Sequence, residues 1–369
     1  MICLLEKARV EFLIMSHTGP RVLMGLLLTG VVMAAAPTTE FEKVGSIERL
    51  DPAVDAILPA DAAIEKVGDD GKWTEGPIWV HAGYVLFADI PNNRIMKWTP
   101  DGRLSLFMQP SGYTGAEPFK GIEPGSNGMT MDAKGRVTVA GHAARNVWRF
   151  ESLEKAPDGR FHVTVLADKY QGKRLNSPND LVYKSDGSLY FTDPPYGLET
   201  QADNDPKKEL TFNGVFRIRD AVAHPAGAAP DPGKLDLLIS DLTRPNGIAF
   251  SPDEKVLYIA VSDPQHKVWM RYDVRPDGTV ANGRVLLDST SSPGDGGPDG
   301  IKVDRKGNIY GAGPGGVWIL TPEGKHLATL RIGEKVANCN WGDADAKTLY
   351  VTASTSVYRI RMKIPGIRP

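Results

Sequence analysis

Six stretches of this chain align on one pattern, and an internal repeat constrains a fold more than any single motif does. They are EGPIWVHAGYVLFAD from Glu75, NGMTMDAKGRVTVAG from Asn127, NDLVYKSDGSLYFTD from Asn179, NGIAFSPDEKVLYIA from Asn246, DGIKVDRKGNIYGAG from Asp299 and NCNWGDADAKTLYVT from Asn338. Successive starts lie 52, 52, 67, 53 and 39 residues apart. In the first five, turn residues begin seven positions after the leading residue, at Ala82-Gly83, Lys134-Gly135, Asp186-Gly187, Asp253 and Lys306-Gly307. The sixth aligns through Leu349-Tyr350, at the same offset as Leu257-Tyr258 from Asn246. Apolar residues alternate on both sides of each turn, so each segment reads as a strand, a tight turn and a second strand. A third strand follows in every unit: RIMKW, NVWRF, GVFRI, KVWMRY, GVWIL and SVYRI.

Units of roughly 40 to 50 residues built from antiparallel strands are propeller blades. Six units predict an all-β, six-bladed β-propeller. The sixth unit ends after three strands, near Met362, and leaves an edge that has to be covered. The stretch AAIEKVG, Ala62–Gly68, precedes the first unit. It is predicted to supply that outer strand, so that the propeller spans 62–369 and its two ends are joined.

Ahead of the propeller, residues 1–36 read as an N-terminal extension and secretory signal, and 37–61 as a linker. Met15 is a candidate translation start. From there a basic region precedes the apolar run VLMGLLLTGVVMAAA, which ends in small residues at Ala34–Ala36. That run is shorter than the roughly 20 residues a membrane span needs. The expectation is therefore cleavage, no stable membrane insertion afterwards, and a periplasmic or secreted protein. Cys3 precedes the signal and leaves Cys339 alone in the mature chain, which excludes an internal disulfide and a cysteine-based metal site. The chain carries 43 basic and 45 acidic residues with no basic block, so it lacks the electrostatic footprint of a nucleic-acid partner.

In a propeller the innermost strand of each blade lines the central channel, so the residues that lead the six segments gather at one mouth. Glu75, Asn127, Asn179, Asn246, Asp299 and Asn338 all carry a side-chain oxygen, and the hairpin turn at the far end of the strand needs none of them. Asn-Gly and Asp-Gly are ordinary loop dipeptides. Six oxygen-bearing residues at one repeat position, one of them a glutamate, point instead to a shared site. Oxygen donors without His or Cys suit a hard cation, and Ca²⁺ takes about six to eight of them in loose geometry. Two carboxylates, Glu75 and Asp299, balance a divalent charge. Ca²⁺ is the expected ion, with Mg²⁺, Zn²⁺ and Mn²⁺ as alternatives. A cation at the mouth would polarise a carbonyl and activate water.

The second strands end on the same face, at Asp89, His142, Asp193 and Asp263, residue types suited to binding hydroxyls or moving protons. The three aspartates each stand one or two residues before a proline, where Asp also caps turns. Other chemistries find no motif. GAGPGG at Gly311–Gly316 is followed by the strand VWIL rather than by a helix, and the chain has neither a G-x-S-x-G elbow nor a P-loop lysine.

The motifs WTEGPIW, LFADIPNNRIMKW, GSNGM, SPNDLVYKSDGSLYFTDPPYG, RPNGIAFSPDEKVLYIA and GPDGIKVDRKGNIY resemble the gluconolactonase, SMP-30 and regucalcin-like family of six-bladed propellers. The likeness runs from about Trp73 to Ile360 and is strongest to bacterial sugar-lactone hydrolases. It implies that Glu75, Asn179, Asn246 and Asp299 hold a divalent metal and that Asp299 is the general base for water. From their positions, Asn127, His142, Asp180 and Asp193 are expected to bind the substrate, a small-molecule sugar lactone such as gluconolactone. A carboxylate bound to a cation is a poor base, which makes His142 and Asp180 alternative bases. The connectors Gln109–Ser126, with Tyr113, Phe119 and Lys120, and Gly197–Asn213 resemble the family's excursions over the pocket. Members often carry a Glu-His pair where this chain has Gly141-His142, which leaves the sugar preference open. Two other readings fit the same site: an organophosphate or aryl-ester hydrolase, and a non-enzymatic Ca²⁺- or ligand-binding propeller.

Overall fold

The structure, a computed structural model, describes residues 39–367, and the signal expected at 1–36 lies outside the described residues. The expected hairpins form at the expected places. Gly83, Gly135, Gly187 and Gly307 all take positive φ, between 78° and 91°, at the turn between the first and second strands. That region is open to glycine without steric cost. The fourth unit has no glycine there, and Glu254 adopts the left-handed conformation instead, with φ of 55°.

Each hairpin opens a sheet whose strands pair antiparallel from the channel outwards. The inner strands of blades one to six are Thr74–Val80, Met129–Met131, Leu181–Tyr183, Pro245–Phe250, Ile301–Val303 and Val336–Gly342. Each packs against the inner strand of the next blade, and the sixth packs against the first. This is a closed, six-bladed β-propeller. A two-stranded ribbon, Lys169–Tyr170 with Lys173–Arg174, stands outside the blades.

The core is divided as the ring demands. Among the described residues, the buried apolar side chains fall into six clusters, each filling the seam between two neighbouring blades. At the seam between blades six and one, Trp79 stacks on Tyr350 with ring centroids 5.8 Å apart, and Trp98 is fully buried beside them. Burying one large apolar side chain contributes roughly 1.5–3 kcal/mol, so every seam helps to hold its two blades together.

The ring closes as the sequence predicts. Ile64–Gly68 pairs antiparallel with Ser356–Arg361, the third strand of blade six, with Glu65 opposite Arg359 and Ile64 opposite Ile360. The stretch expected as a linker is different: its described part is built into the propeller. Glu42–Val44 adds a fifth strand to blade six, and Ser46–Arg49 adds a fifth strand to blade five. Gly45 turns the chain between them, where a β-carbon would lie 2.0 Å from the carbonyl oxygen of Arg331. A short 3-10 helix, Pro52–Ala56, follows, capped by the Asp51 carboxylate, and its Val54 is buried with Ile57 and Leu58 in the seam between blades five and six. Strands of three or four residues at a sheet edge show too little alternation to be read from sequence.

Closure gives a testable outcome. A chain that begins at Asp69 lacks the strand covering Ser356–Arg361 and is expected to self-associate through the bared edge. A chain that begins at Thr39 keeps that strand and the one that covers it, and stays dispersed. Light scattering of the two purified proteins distinguishes them.

Candidate active site

The residue that follows the leading position is glycine in blades one, two, four and five, and the structure supplies the reason. A β-carbon on Gly76 would lie 2.4 Å from the Asn127 carbonyl oxygen, and one on Gly128 would lie 2.6 Å from that of Asn179. On Gly247 it would lie 2.1 Å from the Asp299 carbonyl oxygen, and on Gly300 2.0 Å from the Asn338 side chain. Real β-carbon contacts are not that short. These glycines therefore mark close approach of neighbouring inner strands, and the Asn-Gly and Asp-Gly pairs are not turns. Asn246 and Gly247 sit inside the strand Pro245–Phe250. Main-chain bonds lace the blades together at this level, among them Gly128 N–H to the Asn179 carbonyl at 2.8 Å and Gly300 N–H to that of Ala337 at 2.8 Å.

That approach brings Glu75, Asn127, Asn179, Asn246 and Asp299 to the wall of one cavity of about 420 Å³ at the channel mouth. The sixth leading residue is used differently. Asn338 donates its Nδ2 to Glu75 Oε2 at 3.1 Å and accepts the Cys339 N–H, so it fixes Glu75 and does not line the cavity. The amide of Asn246 is oriented by its partner: Nδ2 donates to Ser262 Oγ at 3.2 Å, and Ser262 bonds Tyr196 Oη at 2.8 Å. Its Oδ1 is left buried with no partner, as are Asn127 Oδ1 and Asp299 Oδ1. Buried oxygens without donors are costly. Three of them face one cavity without a partner.

The charges are arranged in the same sense. Burial pushes the Glu75 carboxyl up to about 8, and nearby Asp180 and Glu123 add to the shift. Burial, then the proximity of Glu75, holds Asp299 well above the ordinary carboxylate range, while Lys335 pulls it back. Two crowded buried carboxyls with amide oxygens beside them fit a hard divalent cation in donor type and charge. Among the described residues no three His, Cys, Asp or Glu side chains gather in ligating geometry, so a cation here would depend on the amide oxygens.

Three residues expected at the substrate lie elsewhere. Asp193 is fully buried behind the loop that leads into blade three, where its two oxygens accept the backbone N–H groups of Asn176 and Ser177, both at 2.7 Å. Burial pushes its carboxyl up to about 7 against the pull of those two donors. Asp89 holds the matching loop of blade one, accepting the Lys72 N–H at 3.0 Å. In blades one and three the aspartate that ends the second strand thus anchors the backbone that carries the leading residue, whereas Asp263 caps its own turn by accepting the Gln265 N–H at 2.9 Å. Asp180 takes the position that is glycine in the neighbouring blades. Its oxygens meet the Leu181 N–H and Lys302 Nζ, and it does not line the cavity. His142 is also fully buried and behind the wall, with Nε2 2.7 Å from Glu123 Oε2.

Glu123 itself lines the cavity, as do Tyr196, Gln201, Lys267 and Lys335. Lys267 leads the repeated third strand KVWMRY, but the other four have no repeat position to betray them. Tyr113 and Phe119 of the same connector line an adjoining cavity with Leu198 and Glu199, so the two expected excursions meet beside the mouth.

With this geometry established, comparison with known proteins is informative. Residues 73–355 match the SMP-30/Gluconolactonase/LRE-like region. The chain belongs to that family. It is 38% identical over 350 residues to a gluconolactonase of Zymomonas mobilis subsp. mobilis, covering 92% of each chain. Among solved structures it is similar to a gluconolactonase of Xanthomonas campestris described as important in glucose secondary metabolic pathways. There the TM-score is 0.70 and identity 28%, covering 90% of this chain and 99% of that one. It is also 26% identical over 290 residues to regucalcin of Oryctolagus cuniculus, covering 76% of this chain and 82% of that one.

The anchoring role of Asp193 separates from chemistry. Asp193→Ala leaves two buried N–H groups without acceptors and is expected to lower stability by about 2–5 kcal/mol, read from urea unfolding. Asn127→Ala, at the cavity wall, should shift the unfolding midpoint far less.

Proposed function

We propose that this member of the family, a lactonase, hydrolyses a gluconolactone-like sugar lactone to the aldonic acid with a divalent cation held by Glu75, Asn179, Asn246 and Asp299. The observation that carries the proposal is the group of buried, unpartnered oxygens on residues that line one cavity: Asn127 Oδ1, Asn246 Oδ1 and Asp299 Oδ1. The donor set favours Ca²⁺, because amide and carboxylate oxygens in a loose array suit a large hard ion. When bound, such an ion supplies Lewis acidity to the lactone carbonyl and lowers the pKa of water.

The rest of the reaction belongs to the chain. Asn338 and the Gly76 N–H fix the Glu75 carboxylate, the latter at 2.8 Å. Asp299 accepts a proton from water as the water oxygen bonds to the carbonyl carbon. The ring C–O bond then breaks and the departing oxygen takes the proton that Asp299 held. Asn127 offers its unpartnered oxygen to a substrate hydroxyl. On the leader sequence we also place the protein in the periplasm or outside the cell, and fractionation of cells expressing a C-terminally tagged chain tests this.

Asp299→Asn should lower kcat on D-glucono-1,5-lactone by about 10²–10⁴-fold while the protein stays folded. Full activity at matched cation occupancy would remove Asp299 as the base.

The raised pKa values set a pH dependence. Glu75, pushed up to about 8, is largely protonated at neutral pH, and a cation requires it ionised. Cation binding should therefore release protons near pH 7 and strengthen as pH rises through about 8. Calorimetric titration with Ca²⁺ in two buffers of different ionisation enthalpy reads the proton count.

A further inference from the structure

Glu123 is the carboxylate of the cavity wall that the proposed cation set leaves unused. It reaches the cavity from the connector between Leu104–Met108 and Met129–Met131, and its side chain is 19% exposed. Its Oε2 lies 2.7 Å from His142 Nε2. The imidazole behind it has no freedom to leave: it is fully buried, its Nδ1 lies 3.3 Å from the Pro178 carbonyl oxygen, and a β-carbon on Gly197 would come within 2.9 Å of its Cδ2. One oxygen of Glu123 is therefore fixed by a rigid partner, while Oε1 makes no hydrogen bond among the described residues. Four residues along the same connector, Asn127 brings another acceptor, its buried and unpartnered Oδ1, to the same cavity.

Two acceptors held at a cavity wall without donors are completed by a ligand that carries hydroxyl groups. A bare ring or an aryl ester would bury them unpaired. We infer that Glu123 is a specificity-determining residue that accepts a hydrogen bond from a substrate hydroxyl beside Asn127, and that His142 is a positioning residue that holds Glu123 in place. The substrate class is then a polyhydroxylated lactone. This rests on the lactonase reading. Sites built to bond a substrate hydroxyl reject analogues that lack it by large factors, about 10⁴–10⁵-fold in favourable cases.

The test compares kcat/KM for D-glucono-1,5-lactone with that for δ-valerolactone, which has the same six-membered ester ring and no hydroxyls. Taking the ratio of the two cancels any effect of a substitution on the chemical step. Glu123→Gln is expected to lower the ratio at least tenfold, mainly through KM for the sugar lactone. With His142 donating, the amide oxygen of Gln turns to the imidazole, and its NH₂ group replaces the charged acceptor with a neutral donor to the hydroxyl. His142→Ala should lower the ratio in the same direction, and His142→Gln, which keeps a donor for Glu123, should hold it within threefold. Equal loss of both substrates in Glu123→Gln overturns the specificity role, and an unchanged ratio in His142→Ala overturns the positioning role. If the unaltered protein hydrolyses no lactone, it is the lactonase reading that has failed. Calorimetric binding of D-gluconate then decides the role of Glu123 without turnover: weaker binding by Glu123→Gln supports it, and equal binding overturns it.

Discussion

Everything at the channel mouth depends on how closely the inner strands approach one another. At Gly76, Gly128, Gly247 and Gly300 there is no room for a β-carbon between one blade and the next. This contact places five side chains from positions between 75 and 299 on one cavity wall. It also occupies the backbone, since main-chain groups at this level bond across to neighbouring blades. Thr192 Oγ1 does the same, donating to the Asn246 carbonyl at 2.7 Å. The side-chain oxygens are what remains for a ligand. The approach is enforced from outside by six apolar seams and by the pairing of Ile64–Gly68 with Ser356–Arg361, so the site's geometry is a property of the closed ring.

The cavity is electrostatically costly for the fold alone. Glu75 is buried and raises the pKa of Asp299, on top of the effect of burial. Lys335 offsets part of this, and its ammonium stands 5.1 Å from the centre of the Trp73 ring. Folding does not select crowded carboxyls or buried acceptors without donors, because each opposes stability. The meeting of two such carboxyls and three such acceptors on one cavity is the pattern of a functional site that the rest of the structure supports.

The blades were legible because their signals are local and repeated. Alternation, a turn at a fixed offset and a third strand recur in each unit, and an error in one is corrected by the others. The closing strand was legible for a topological reason, since a three-stranded last blade needs an edge partner. Residues 42–49 were not, because strands this short carry no period, and Ser46–Arg49 finds its partner only in blade five, opposite Ala328–Arg331. At the site, Glu75, Asn127, Asn179, Asn246 and Asp299 could be found because the repeat assigns them one depth in the channel. Asn338 shares that depth, yet its amide bonds Glu75.

What the sequence determined by itself is the architecture and the level at which oxygens gather, since both follow from periodicity in a chain that closes on itself. What tertiary structure alone decided is the use of each polar side chain. Asp193 and Asp89 look like ligand groups in the sequence, but they hold the loops from which the inner strands begin. His142 looks exposed to substrate, but it lies behind Glu123, a residue with no repeat position to announce it. A repeat fixes where a Cα sits. Which donor lies within 3 Å of a given oxygen depends on loops that differ from blade to blade, and those contacts exist only once the ring has closed.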